Sequence, residues 1–431
     1  VASASETYLA ALANETFLKP WAIANPFRKR GKEISDLIVP FGQDVVMVSD
    51  KACRFNSKID VALAWSRWER DAIDESVKQL AGAVRQLDRP DCRIFVDHKA
   101  TEPLAFDVPP PAARRYHLIA VGRPDKDPGH VPRGWPGLVY ADEAPPKPFQ
   151  VGPRFIGDHF VHVFDGETLD LLVRHLSTGP DLIAYLSSRA AALSRRPGVT
   201  FGEADLLAVA TFNWMNGAGF SVTLNADEKA QLKESPWAAY TISERAQHTR
   251  KEAEDSKKGV DLVISEFHRE YTERRARSAD APDPQRHEEA MRLLAAENRF
   301  ARRMIFGSLK SILLEEDQST FWMSTVPSPT QPGVRYLWLA YPKKPVDVSD
   351  DEFAAGVSAH LGQYLIVLAD EFPEDTLVGI AVPNRKAHDN LLAMRVLDAS
   401  NRGPEAAAQA AFWRERGVLD TLDPDPHLHV P

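Results

Sequence analysis

Residues Gly31–Lys51, GKEISDLIVPFGQDVVMVSDK, decide how the chain reads. Ile34, Leu37, Ile38 and Val39 make a short apolar strand. Phe41-Gly42-Gln43-Asp44 has turn chemistry, and VVMVS is β-branched and apolar as a buried strand is. The pattern predicts a β-hairpin with Glu33 and Asp36 where the first strand begins and Asp50 and Lys51 where the second ends. Carboxylates at one end of a hairpin, with a lysine close by, suit a divalent metal and a phosphodiester. In an ideal strand Ser49 and Lys51 share one face while Asp50 points to the other.

Upstream of the hairpin, Tyr8, Leu9, Leu12 and Phe17 make the apolar stripe of a helix over 6–18, stopped by Pro20. Downstream, Ile73, Val77, Leu80, Val84 and Leu87 lie on one continuous helical face that ends at Arg89-Pro90-Asp91. Strands are expected at 93–96, 117–121 and 160–164, with an irregular Pro- and Gly-rich excursion over 124–153. Helices are expected at 169–176, 181–194 and 203–215. The charged stretch 225–280 is helical by pattern and 280–285 (DAPDPQ) reads as a linker or long loop. A single helix over 288–314 is followed by strands at 335–341 and 377–382 around a helix at 351–368. The fold class expected is mixed α/β (α+β): a first domain over 1–165 with a sheet core flanked by helices, a helical region over 166–280 and a mixed α/β region over 286–431.

Composition excludes several classes. At 431 residues two or three domains are expected. The hydrophobic content of 44% contains no run of about 18 apolar residues, so no membrane span is expected. The first residues lack the pattern of a signal peptide, and two cysteines cannot build a disulfide framework, which together point to the cytoplasm. A net charge of −9 argues against a general nucleic-acid coat but leaves room for a local basic groove. Arg28, Lys29, Arg30 and Lys32 abut the carboxylates, and Arg67 stands between Trp65 and Trp68. These are the candidate nucleic-acid contacts, although the tryptophans also suit a core.

GKEISDLIV, then VVMVSDK, then a helix carrying Lys78-Gln79-Leu80 resemble the PD-(D/E)XK (restriction-endonuclease-like) nuclease superfamily, in particular its uncharacterised bacterial branch with an S-D-K strand end. The likeness covers about the first hundred residues. It implies that Asp36 is the metal-binding carboxylate of the first strand and Lys51 the lysine of the acidic-x-Lys triplet. Glu33 would be an upstream helper acid and Gln79 the helix glutamine, with Mg²⁺ or Mn²⁺ held by Glu33, Asp36 and Asp50. The departure is Ser49, which stands where the metal-binding acid belongs. Either a β-bulge turns Asp50 inward, or Glu33 supplies the missing carboxylate, or the site is degenerate.

Asp97-His98-Lys99 is a literal acidic-x-Lys at the end of the expected 93–96 strand, but it has no partner hairpin and ranks second. His159 and His162 face opposite sides of a strand, so they do not share a metal. The function expected is metal-dependent hydrolysis of nucleic acid, DNA ahead of RNA, with a bacterial defence effector as the analogous role. The alternative is a non-catalytic nucleic-acid-binding or scaffold protein that keeps a nuclease-like fold. The C-terminal half is expected to bind a protein partner or a second copy.

Overall fold

The computed structural model describes residues 4–419 other than 105–107, 126–131, 134, 142–146, 195–199, 217–219, 223–234, 278–283, 316–318, 385–392 and 404. The fold is mixed α/β, and its contacts divide it into two compact units, Val1–Glu254 and Asp255–Pro431. The division expected at 165 is not found. The helices that follow residue 165 pack on the N-terminal sheet and belong to the first unit. The linker expected at 280–285 lies outside the described residues up to 283.

The first unit opens with α1 (Ala4–Phe17) and the short strands β1 (Ile23–Ala24), β2 (Phe27–Lys29) and β3 (Lys32–Glu33). The hairpin follows as β4 (Leu37–Phe41) and β5 (Asp44–Ala52). Next come α2 (Val61–Trp68), a π-helical segment (Glu69–Asp74) and α3 (Glu75–Leu87), then β6 (Arg115–Arg123). β7 (Val139–Ala141), β8 (Gln150–Val151) and β9 (Arg154–Ile156) lead to β10 (His159–Asp165). The unit is completed by α4 (Gly166–Leu176), α5 (Gly179–Leu193), β11 (Thr200–Gly202), α6 (Glu203–Met215) and α7 (Pro236–Ile242); the division from the second unit falls inside α8 (Glu244–Arg277).

The main sheet has the order β1-β4-β5-β6-β10-β9. β4 and β5 are antiparallel, whereas β5, β6 and β10 are parallel neighbours, so their carboxyl ends lie along one edge. Both faces of the sheet are covered, which is why the centre of β5, Val45-Val46-Met47-Val48, is an unbroken apolar run. Gly42 takes φ +61°, the positive value a two-residue hairpin turn requires, and Phe41 then pairs with Asp44. From that turn the register runs without a shift to Leu37 opposite Val48, and from Asp44 opposite Arg115 to Ala52 opposite Arg123. Side-chain alternation is therefore regular through Ser49, Asp50 and Lys51.

One face is packed by α2, the π segment and α3. Ile73, Leu80 and Leu87 are at most 1% exposed there and meet Val45, Met47 and Leu118 of the strands. Each such side chain contributes about 1.5–3 kcal/mol of burial. The approach is closest at Gly122, where an added Cβ would lie 2.6 Å from Trp68 and 2.7 Å from Ile73. Gly122 pairs with Lys51, so the helical run presses on the sheet directly beside the end of β5. Within the excursion expected at 124–153, Trp135, Leu138 and Phe149 close over the same core.

Two expected elements differ. Residues 93–96 form no strand: Phe95 makes single bridges to Phe27 and to Pro103, and a proline offers no N–H to extend a ladder. The helix expected over 288–314 is two helices, α9 (Pro284–Ala295) and α10 (Arg299–Leu313). Asn298 restarts the second by accepting the Ala301 N–H at 3.0 Å, a capping role that an apolar stripe does not reveal.

The second unit continues with β12 (Trp322–Pro327), β13 (Val334–Tyr341), α11 (Asp350–Glu371), β14 (Thr376–Pro383), β15 (Ala393–Asp398) and α12 (Ala406–Arg414). Its sheet runs β12-β13-β14-β15, with β13 and β14 parallel and the other neighbours antiparallel. A Ser349–Glu352 capping box starts α11, whose Leu361, Leu365 and Leu368 pack on Leu337, Leu339 and Tyr341.

At the turn end of β5, Asp44 is gripped by His117 Nε2 at 2.8 Å and by Arg115 at 3.0 and 2.7 Å. Burial alone would raise its pKa, but the hydrogen bonds from His117 and Arg115 outweigh that and hold it below the usual carboxylate value. A depressed folded pKa gives stability that is complete above the unfolded value of about 3.9 and is lost as pH falls through the folded value. Asp44→Asn is therefore expected to flatten the acid limb of a stability–pH curve below about pH 4. Unfolding midpoints across pH 2–7 check this, and an unchanged acid limb refutes it.

Candidate functional site

The edge formed by the carboxyl ends of β5 and β6 gathers the residues singled out in the sequence. Asp36 stands just before β4 and is half-buried. Its Oδ2 accepts the backbone N–H of Asp50 at 2.6 Å, and its Oδ1 accepts from Gln79 Nε2 at 3.3 Å. The Gln79 amide oxygen in turn accepts from the Ser49 hydroxyl at 3.1 Å. β4, β5 and α3 thus converge on one hydrogen-bonded chain, Ser49–Gln79–Asp36. Gln79 reaches it because it precedes the fully buried Leu80 on α3, at the margin of the apolar face. Lys51 is two residues after Ser49 on the same face of β5, is half-buried, and makes no ion pair among the described residues.

Asp50 does not join this group. Expected as a metal ligand, it instead points to the opposite face of the sheet, because no bulge interrupts the ladder. There its two carboxylate oxygens lie 3.1 and 2.8 Å from Arg123 Nε, with side chains only 3% (Asp50) and 6% (Arg123) exposed. Burial raises the Asp50 pKa; Arg123 opposes the shift without cancelling it, and the charges of Asp36 and Asp170 add to it. The guanidinium also lies over the Tyr8 ring, 5.3 Å from its centroid, and the Tyr8 hydroxyl donates to Asp170. No local signal pointed to Arg123 as the partner, since it lies 73 residues from Asp50 and the pairing depends on the β5–β6 register.

Glu33 lies exposed on the β2–β3 ribbon, three residues before Asp36. Lys29, Arg30 and Lys32 are exposed on the same ribbon, whereas Arg28 donates to Gln86 on α3 at 2.7 Å. Trp65 and Trp68 are 4% and 2% exposed and belong to the core with Trp135 and Phe149, so neither lines a groove; Arg67 between them is exposed. Asp97 is engaged in a turn, accepting the N–H groups of Lys99, Thr101 and Glu102. Those bonds, the one from Glu102 foremost, lower its pKa, and the Asp97-x-Lys99 pair is not a strand motif. His162 is buried against Arg189, and His159 packs on Tyr116.

The acceptors on the α3 side are one carboxylate and one amide oxygen, with the Ser49 hydroxyl wholly buried behind the amide. That set fits a hard divalent cation held mainly through water and a substrate phosphate, the usual habit of Mg²⁺. Among the described residues no group of three or more His, Cys, Asp or Glu is placed to hold a metal ion by side chains alone. No helix among them is long and apolar enough to cross a membrane. Comparison with protein-family models, with curated proteins and with solved structures returns no match for this chain.

Proposed function

We propose that the first unit is a metal-dependent nuclease whose centre is Asp36 at the end of the β4–β5 hairpin. The observation that carries this reading is the bonding of Asp36 to both Gln79 and the Asp50 N–H, on the edge that also bears Lys51. The order helix, hairpin, helix, parallel strand supports it. Asp36 would hold Mg²⁺ or Mn²⁺, with the half-buried Gln79 amide oxygen beside it and the wholly buried Ser49 hydroxyl orienting that amide. When bound, such an ion supplies charge neutralisation at the scissile phosphate and lowers the pKa of a water. Gln79 fixes the Asp36 carboxylate and Lys51 brings a cation for charge developing on the phosphate. Lys29, Arg30 and Lys32 offer a basic ribbon for the nucleic-acid backbone, with DNA proposed ahead of RNA.

Asp36→Ala and Lys51→Ala are each expected to lower manganese-dependent cleavage of oligonucleotides by about 10²–10³ while leaving the fold intact. Undiminished cleavage by both purified variants removes the assignment. A second reading, a nucleic-acid-binding protein that does not cut, is favoured by Ser49 in the acid's place and by the engagement of Asp50 with Arg123. Calorimetric Mn²⁺ binding that disappears in Asp36→Ala counts against it.

A further inference from the structure

We propose that Arg123 is a positioning residue for Asp36, acting through Asp50 from the opposite face of the sheet. Its effect on cleavage rests on the nuclease reading above; its effect on geometry does not. One oxygen of Asp36 is held by the Asp50 N–H, so its position depends on how the last residues of β5 are fixed. Those residues lie where the β4–β5 pairing has ended, the last pair being Leu37 with Val48, and where β6 alone still flanks the strand. The Asp50 side chain supplies the missing restraint by bonding Arg123 through both oxygens.

Arg123 is itself confined. A Cβ on Gly166, the first residue of α4, would stand 2.2 Å from its Nη1, so the guanidinium is seated against a glycine and any larger residue there would have to displace it. The Tyr8 ring of α1 packs on it, and Tyr8 is tied to Asp170 of α4. Asp36 is thereby held from both faces: by Gln79 of α3 on one, and by α1 and α4 through Arg123 and Asp50 on the other. A carboxylate with both oxygens restrained is pre-set for its task, and displacement of a reacting group by about 1 Å can cost about a hundredfold in rate.

The test uses Arg123→Lys in the full chain, which keeps the charge and loses the planar group. The Asp50 amide resonance reports the Asp36–Asp50 hydrogen bond directly. It is expected downfield in the wild type, displaced upfield in Asp36→Asn, and displaced in the same direction in Arg123→Lys. Manganese-dependent kcat is expected to fall about tenfold to a hundredfold in Arg123→Lys, with KM for the oligonucleotide unchanged. Tyr8→Phe, which keeps the ring and frees Asp170, gives a smaller displacement of the same sign and serves if the lysine variant does not fold. An Asp50 amide that stays in place in these variants overturns the proposal, whatever happens to cleavage. So does loss of cleavage in Asp50→Asn that Arg123→Lys does not share, because Asp50 then acts directly. A displaced amide in a protein with no cleavage in any form upholds the positioning and removes the nuclease reading alone.

Discussion

Arg189→Met is expected to destabilise the first unit by about 3–5 kcal/mol, the cost of leaving a buried ion without its partner. Arg189 on α5 is 1% exposed and bonds both oxygens of Glu203, at 2.8 and 2.9 Å. Glu203 also accepts from Tyr185 at 2.5 Å, and Arg189 Nη1 lies 3.2 Å from His162 Nδ1. The network shapes its members: burial and the Glu203 charge raise the Tyr185 pKa, while burial and the Arg189 charge lower that of His162. Methionine fills much of the space but leaves the Glu203 carboxylate facing Tyr185 alone. In a thermal scan the transition of this unit is expected to fall by roughly 10 °C. Adding Glu203→Gln should restore a large part, because the uncompensated charge is then gone. A single variant as stable as the parent, or a double variant no better than the single, refutes this.

Glu297→Ala is expected to have a comparable effect in the second unit. Glu297 lies between α9 and α10, is fully buried, and accepts from Ser328 at 2.5 Å, Gln331 at 2.6 Å and Tyr336 at 2.8 Å, with Thr330 as a fourth donor. The connection between β12 and β13 is thus folded around one carboxylate. Removing it takes this acceptor from Ser328 and Thr330, while Gln331 and Tyr336 keep the Leu293 carbonyl at 2.8 and 2.9 Å; a buried donor left unsatisfied costs about 1–3 kcal/mol before relaxation and water entry. A net loss of about 2–4 kcal/mol is expected, with amide exchange of residues 328–334 accelerating first. Glu297→Gln keeps shape and part of the bonding, so it should lose less. Equal losses in the two variants, or protected amides in Glu297→Ala, argue that the carboxylate does not organise the turn.

The sequence made the main strands legible because hydrophobic periodicity is a local property. β4, β5, β6 and β10 all follow from apolar runs bounded by turn residues, and α3 follows from a single stripe. Gln79 was legible for the same reason, being adjacent to Leu80 on a face whose direction the stripe defines. Asp50 was ambiguous because its direction depends on whether a bulge interrupts the ladder, which no nearby residue type announces. The register, once known, sends it to Arg123. Phe95 was misread because its neighbours have strand composition while its pairing partners are a proline and one phenylalanine. Glu297 had no sequence signal at all: a lone glutamate in an apparent helix is ordinarily solvated, and only the break at Asn298 turns it inward.

The π-helical segment between α2 and α3 has a consequence for how the edge of the sheet is tuned. A π turn accommodates one residue more than an α turn, so the residues of α3 are turned by about 100° from the bearing an unbroken α-helix would give them. α2 is clamped by Trp65 and Trp68 in an aromatic cluster, and α3 by Leu80, Val84 and Leu87 over the strands. In an uninterrupted α-helix the seating of the tryptophans would dictate the compass bearing of Gln79. The extra residue resets that bearing, so that the tryptophans of α2 and the Leu80 face of α3, with Gln79 at its margin, seat on the same core.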